Sequence, residues 1–135
     1  MKFVFDEHLP PRLAKAIGVL AENEPYEIDH LRSLYPAGTK DLQWIPELGR
    51  QEGCVFISED RRIRTRPAEK EALRASGLVG FFLAKGWNQE GLWERAALLI
   101  RWWPRIVATA SSARPGDQFE VPHRSTPSDL KAPRR

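Results

Sequence analysis

Cys54-Val-Phe-Ile-Ser-Glu-Asp60 is an unbroken apolar run, opened by Gly53 and closed by two acids. Five such residues without polar alternation describe a strand covered on both faces, the usual state in a parallel sheet. Lys2-Phe-Val-Phe-Asp6-Glu7 has the same form, a short apolar strand over residues 2–6 that stops at an acidic pair. After the first of these strands, Pro10 and Pro11 open a helix over 10–21, with Leu13, Ile17 and Leu20 at helical spacing. Residues 26–31 suit a second strand, and LRSLYPAGTK (31–40) reads as a loop with Pro36 and Gly38 as breakers.

A helix over about 41–52 has Leu42, Ile45 and Leu48 on one face, and Pro46 fits either an extended first turn or a kink. PAEKEALRAS (67–76) is a helix between Pro67 and Gly77, and 78–84 is a further strand. Asn88 is a candidate cap for a long helix through Leu92, Ala96, Leu99 and Trp103, which Pro104 ends or kinks. Because Trp102 and Trp103 are adjacent, one of them is expected to face a partner or a homodimer surface. A last strand fits 118–121. Residues 1–122 are thus expected to form one domain, and 123–135 a disordered basic tail. Alternating strands and helices give an α/β fold of three layers around a mainly parallel central sheet.

The chain has 135 residues, enough for one core without staples, and 41% of them are hydrophobic. A single cysteine, Cys54, excludes an internal disulfide and suits a reducing compartment; with no paired histidine spacing it argues against zinc. No apolar run spans a bilayer, and the opening MKFVFDE lacks the apolar stretch of a secretory signal, so a cytoplasmic protein with no membrane partner is expected. A net charge of +3 favours a polyanion only weakly.

In parallel sheets ligands bind beyond the carboxyl ends of the strands, where Asp6 and Asp60 fall; the N-terminus of the helix at Asp41 shares that edge. Asp41 is also explained as a helix cap. Converging carboxylates repel, and a hard cation such as Mg²⁺ or Mn²⁺ relieves the repulsion while activating water toward a phosphodiester. Asp6, Asp41 and Asp60 are therefore the candidate catalytic and metal-binding acids, with Glu7 as a supporting ligand. Arg61, Arg62, Arg64 and Arg66 follow Asp60 at once, and with Arg12 they suit a track for a nucleic-acid backbone. His8 stands in the same loop.

FVFDEHLPPRLAKAI, KDLQWIPELGRQEGCVFISEDRRI and RPGDQFEVP, taken together, resemble PIN-like domains related to bacterial toxin–antitoxin ribonucleases. The resemblance covers about 1–122. It implies an α/β/α sandwich, divalent-metal-dependent RNA cleavage and an antitoxin partner, with Asp6, Asp41 and Asp60 at the family's acidic positions and Glu7 beside them. His8 stands where related chains often have Asn. A further acid late in the chain has no clear match, and Glu71 and Asp117 are its candidates.

Overall fold

The computed structural model describes residues 1–60 and 62–131. The elements run β1 (Lys2–Phe5), α1 (Pro11–Leu20), β2 (Glu27–His30), α2 (Leu31–Leu34), α3 (Asp41–Arg50) and β3 (Cys54–Ser58). Then come α4 (Arg62–Thr65), α5 (Pro67–Ser76), β4 (Val79–Leu83), a 3₁₀ turn at Trp87–Gln89, α6 (Leu92–Ser112) and β5 (Gln118–Val121). The five strands form one sheet in the order β2-β1-β3-β4-β5, and every pairing is parallel. β3 is central and buried at all five positions, as its unbroken apolar run requires.

Side chains of a strand alternate between faces, so the sheet divides the core in two. Phe3, Phe5, Val55, Ile57, Phe81, Leu83, Phe119 and Val121 pack with Leu13 and Ile17 of α1 and Leu99, Trp102 and Ile106 of α6. Val4, Phe56 and Phe82 pack on the opposite face with Trp44, Ile45 and Leu48 of α3, Ile63 of α4 and Leu73 of α5. The result is the three-layer α/β/α arrangement.

α3 and α5 approach closely because Gly49 has no side chain. A Cβ there would lie 2.6 Å from Ser76 Cβ and 2.7 Å from the Ser76 carbonyl oxygen. Gly49→Ala is therefore expected to destabilise the fold by about 1–3 kcal/mol, as overpacking does; urea unfolding measures it, and an unchanged midpoint would contradict the close contact.

Several local expectations are corrected. The 31–40 segment contains a helical turn, α2, because His30 caps it: Nδ1 accepts from the Arg32 N–H (3.2 Å) while Nε2 bonds the Leu9 carbonyl (2.8 Å). Asp41 is the first residue of α3 and not its cap; Lys40 holds that position without a side-chain bond. Pro46 lies inside α3, and Pro104 lies inside α6, which continues to Ser112. Pro104 is exposed, so solvent is at hand for the acceptor its missing N–H leaves. Gly91, not Asn88, occupies the N-cap position of α6.

Trp102 and Trp103 are both buried, which removes the expectation that one faces a partner. They stay inside because α6 is covered on two sides. Trp103 packs on Phe3 with ring centroids 4.9 Å apart and donates Nε1–H to the Tyr26 hydroxyl. Trp102 donates to the Arg124 carbonyl (2.8 Å), and Leu130 packs against the same core. Arg124, Ser125 and Asp129, in the segment expected to be a disordered tail, thus contact α6; 132–135 lie outside the described residues. Trp93 is the exposed tryptophan. No described helix is long and apolar enough to cross a membrane.

Candidate metal and phosphate site

Strand parity places the first acid. Asp6 follows β1 on the face of Val4, and Ser58 ends β3 on the face of Phe56, so both point toward the α3–α5 layer. The ladder extends one step past β1, with the Asp6 N–H donating to the Ile57 carbonyl at 2.9 Å. Asp6 is 2% exposed. Its Oδ1 accepts the Glu7 N–H and its Oδ2 accepts the Ser58 hydroxyl, each at 2.8 Å. Ser58 Oγ in turn accepts the Asp60 N–H at 2.9 Å. One serine thereby fixes the buried carboxylate and the turn that carries Asp60. Its place in a Ser-x-Asp sequence was visible; its bridging role needed the register of β1 against β3.

Asp60 is held from the other side by Arg62. Oδ1 accepts the Arg62 backbone N–H (2.9 Å) and Nε–H (3.0 Å), and Oδ2 accepts from Nη2 (3.1 Å). His8 Nε2 lies 3.3 Å from Arg62 Nη2 and 3.4 Å from Asp60 Oδ2. Only the first contact suits an unprotonated Nε2, whose lone pair accepts from the guanidinium. One donor atom each from Asp6, His8 and Asp60 lies within 4.8 Å of the others.

Asp41 lines the adjoining cleft with its carboxylate oriented by Trp44, whose Nε1–H donates to Oδ1 at 3.1 Å. Trp44 is buried and packs on Phe56. The cleft, about 330 Å³, is also lined by Glu7, His8, Thr39, Lys40, Asp60, Arg62, Arg66 and Glu69. Of the two sequence candidates for a further acid, Glu71 pairs with Arg74 on the exposed side of α5. Asp117 accepts the Arg114 N–H in the turn before β5, at the other end of the sheet. Glu69 is the acid that α5 brings to the cleft. Nothing in its sequence context marked it, since only the packing of α5 on α3 puts its side chain there.

The arginines divide. Arg62 and Arg66 line the cleft, with Arg66 4.0 Å from Glu69. Arg64 points elsewhere, pairing with Glu120 at 3.2 Å and standing 5.0 Å over the Phe82 ring. Arg12 is exposed on α1 and does not line the cleft. Arg61 lies outside the described residues. Arg62 and Arg64 stand on the turn of α4 and Arg66 at the N-cap of α5, so these side chains leave in different directions.

Burial pushes the Asp6 carboxyl up to about 6, against the lowering effect of the Ser58 bond and His8, with the Asp60 charge adding to the rise. Burial also raises Asp41, helped by Asp60 and Glu69 and opposed by the Trp44 bond and Arg62. Burial acts the same way on Asp60, but the Arg62 hydrogen bonds and charge outweigh it and leave that carboxyl below its ordinary value. A buried carboxylate resisting ionisation beside a second acid and an imidazole is a donor set that a divalent cation fits. Asp6, His8 and Asp60 would hold it, with Asp41 and Glu7 facing the same cleft.

No curated protein and no solved structure matches the chain. A family model described as PIN-like domain matches residues 1–85, a span that runs from β1 past β4 and contains Asp6, His8, Asp41, Asp60 and Glu69. PIN-like domains are commonly nucleases that use divalent metals. With that match over more than half its length, on an all-parallel sheet whose strand ends gather these acids, the chain belongs to the PIN-like domain family.

Proposed function

We propose that this protein is a divalent-metal-dependent endoribonuclease. The carrying observation is the placement of Asp6, Asp60 and His8 within ligand distance of one another at the carboxyl edge of a parallel sheet, beside a cleft with Arg62 and Arg66. A cation bound there would supply an activated water and stabilise charge on the phosphoryl group. The chain's own residues do the rest. Ser58 keeps Asp6 and Asp60 in place, Trp44 orients Asp41 toward the cleft, and the arginines take the phosphates of the substrate strand. Resemblance to toxin–antitoxin ribonucleases supports RNA over DNA as substrate, a cytoplasmic setting, and the toxin's part with an antitoxin partner.

The test is cleavage of single-stranded RNA by the purified protein, with DNA and a phosphomonoester as controls. RNA cleavage is expected with Mg²⁺ or Mn²⁺ and none in EDTA. Mn²⁺ is expected to support the faster reaction, because an imidazole donor suits it better than Mg²⁺. His8→Asn should narrow that preference. Equal turnover in EDTA would overturn the reading. One observation favours a second reading, a non-catalytic binding module: Arg62 already neutralises Asp60 without a cation. RNA binding that ignores EDTA, with no turnover, would select it.

A further inference from the structure

Arg62 touches two of the three donors in the proposed cation site. Its Nε and Nη2 form a fork on the two oxygens of Asp60, at 3.0 and 3.1 Å, and Nη2 also reaches His8 Nε2 at 3.3 Å. His8 Nε2 has one lone pair, which the Arg62 guanidinium occupies, and the same guanidinium already places a positive charge on both Asp60 oxygens, so guanidinium and cation compete for this site. Yet Arg62 is free to leave. Its side chain is 55% exposed, whereas that of Asp60 is 8% exposed. The Arg62 backbone N–H, donating to Asp60 Oδ1, holds the start of α4 without the guanidinium.

A phosphodiester offers what Asp60 offers, two anionic oxygens spaced for a bidentate fork. We propose that Arg62 is a placeholder for the cation. In the free protein it neutralises Asp60; when an RNA phosphate enters the cleft, Arg62 transfers to it and releases Asp60 and His8. The exchange balances charge, since guanidinium on carboxylate becomes guanidinium on phosphate and cation on carboxylate. Nucleic acid and cation therefore bind cooperatively, each raising the affinity of the other by the same factor. This rests on the metal-and-RNA reading above and adds an order to it: the protein loads poorly with metal until the strand arrives.

The experiment measures Mn²⁺ binding by the loss of the free-ion EPR signal, with and without a saturating short oligodeoxynucleotide, which carries the same phosphodiester backbone and is not a ribonuclease substrate. Wild type, Arg62→Ala and Arg64→Ala are compared, the last removing a charge outside the cleft. In wild type the oligonucleotide is expected to tighten Mn²⁺ about tenfold. Arg62→Ala is expected to bind Mn²⁺ about tenfold tighter than wild type without oligonucleotide, and to gain little when it is added. Arg64→Ala should behave as wild type. Equal Mn²⁺ affinity in wild type and Arg62→Ala, or weaker binding by the variant, overturns the inference and leaves the metal site standing. Absence of Mn²⁺ binding by every protein, with or without oligonucleotide, overturns both.

Discussion

Asp6→Asn is expected to abolish RNA cleavage, by about 1,000-fold or more, and at the same time to stabilise the metal-free protein at neutral pH. Both effects follow from one buried carboxylate. The Asp6 carboxyl ionises near 6 in the folded protein, against 3.8 for an ordinary aspartate, chiefly because burial disfavours its charge. The sign follows directly. Below about pH 4 Asp6 is protonated whether folded or not and costs nothing. Between about pH 4 and 6 the folded chain keeps a proton that the unfolded chain has released, so stability falls as pH rises through that window. Above about pH 6 the full penalty remains, about 3 kcal/mol. Asparagine preserves an acceptor for the Glu7 N–H without the charge, so thermal unfolding should show a gain of about 1–3 kcal/mol at about pH 7.5 that closes by about pH 4. Mn²⁺ should raise the melting temperature of wild type and not of the variant. A variant that cleaves RNA at the wild-type rate, or that is less stable at every pH, would contradict this account of Asp6.

Arg95→Leu is expected to be among the most destabilising single changes, about 3–5 kcal/mol, while Glu59→Leu with Arg95→Leu should be near neutral or better. Glu59 precedes Asp60 but leaves β3 on the opposite face, toward α6. There Arg95 Nη1 donates to Glu59 Oε1 at a long 3.4 Å, with the two side chains only 14% and 11% exposed. Glu59 Oε2 and Arg95 Nε have no hydrogen-bond partner among the described residues. Burial raises the Glu59 carboxyl, and the Arg95 charge opposes the rise. Removing Arg95 alone leaves a buried acid without its counter-charge. Removing both deletes an ion pair whose hydrogen bonding was incomplete, and two leucines suit a site between strand and helix. Urea unfolding of the two singles and the double gives the coupling. Single variants within about 0.5 kcal/mol of wild type would mean that the pair does not tie β3 to α6. Mn²⁺ binding that survives in the double variant would separate this structural tie from the acid site one residue away.

The layered α/β fold and the acids that close its central strands are written in the order of residues along the chain. Residues 3–5 and 54–57 are apolar without interruption, as suits a strand covered on both faces. A polar residue within two places of the end of such a strand lies at the sheet edge, so Asp6, next after β1, and Asp60, two after Ser58, were legible as neighbours. Tertiary structure alone decided the rest of the site. Glu69 enters the cleft because Gly49 lets α5 lie close on α3, and that contact is nowhere in the local pattern of 67–76. His8 and Arg62 meet over Asp60, and Arg64 turns to Glu120, because residues two apart on the turn of α4 point to different sides. Trp102 and Trp103 are both buried because the chain beyond β5 returns across α6, widening the covered arc beyond what one helix face presents to a sheet. Periodicity records which face of an element is covered; which distant side chains share a pocket depends on how the elements pack, and that is a property of the folded chain.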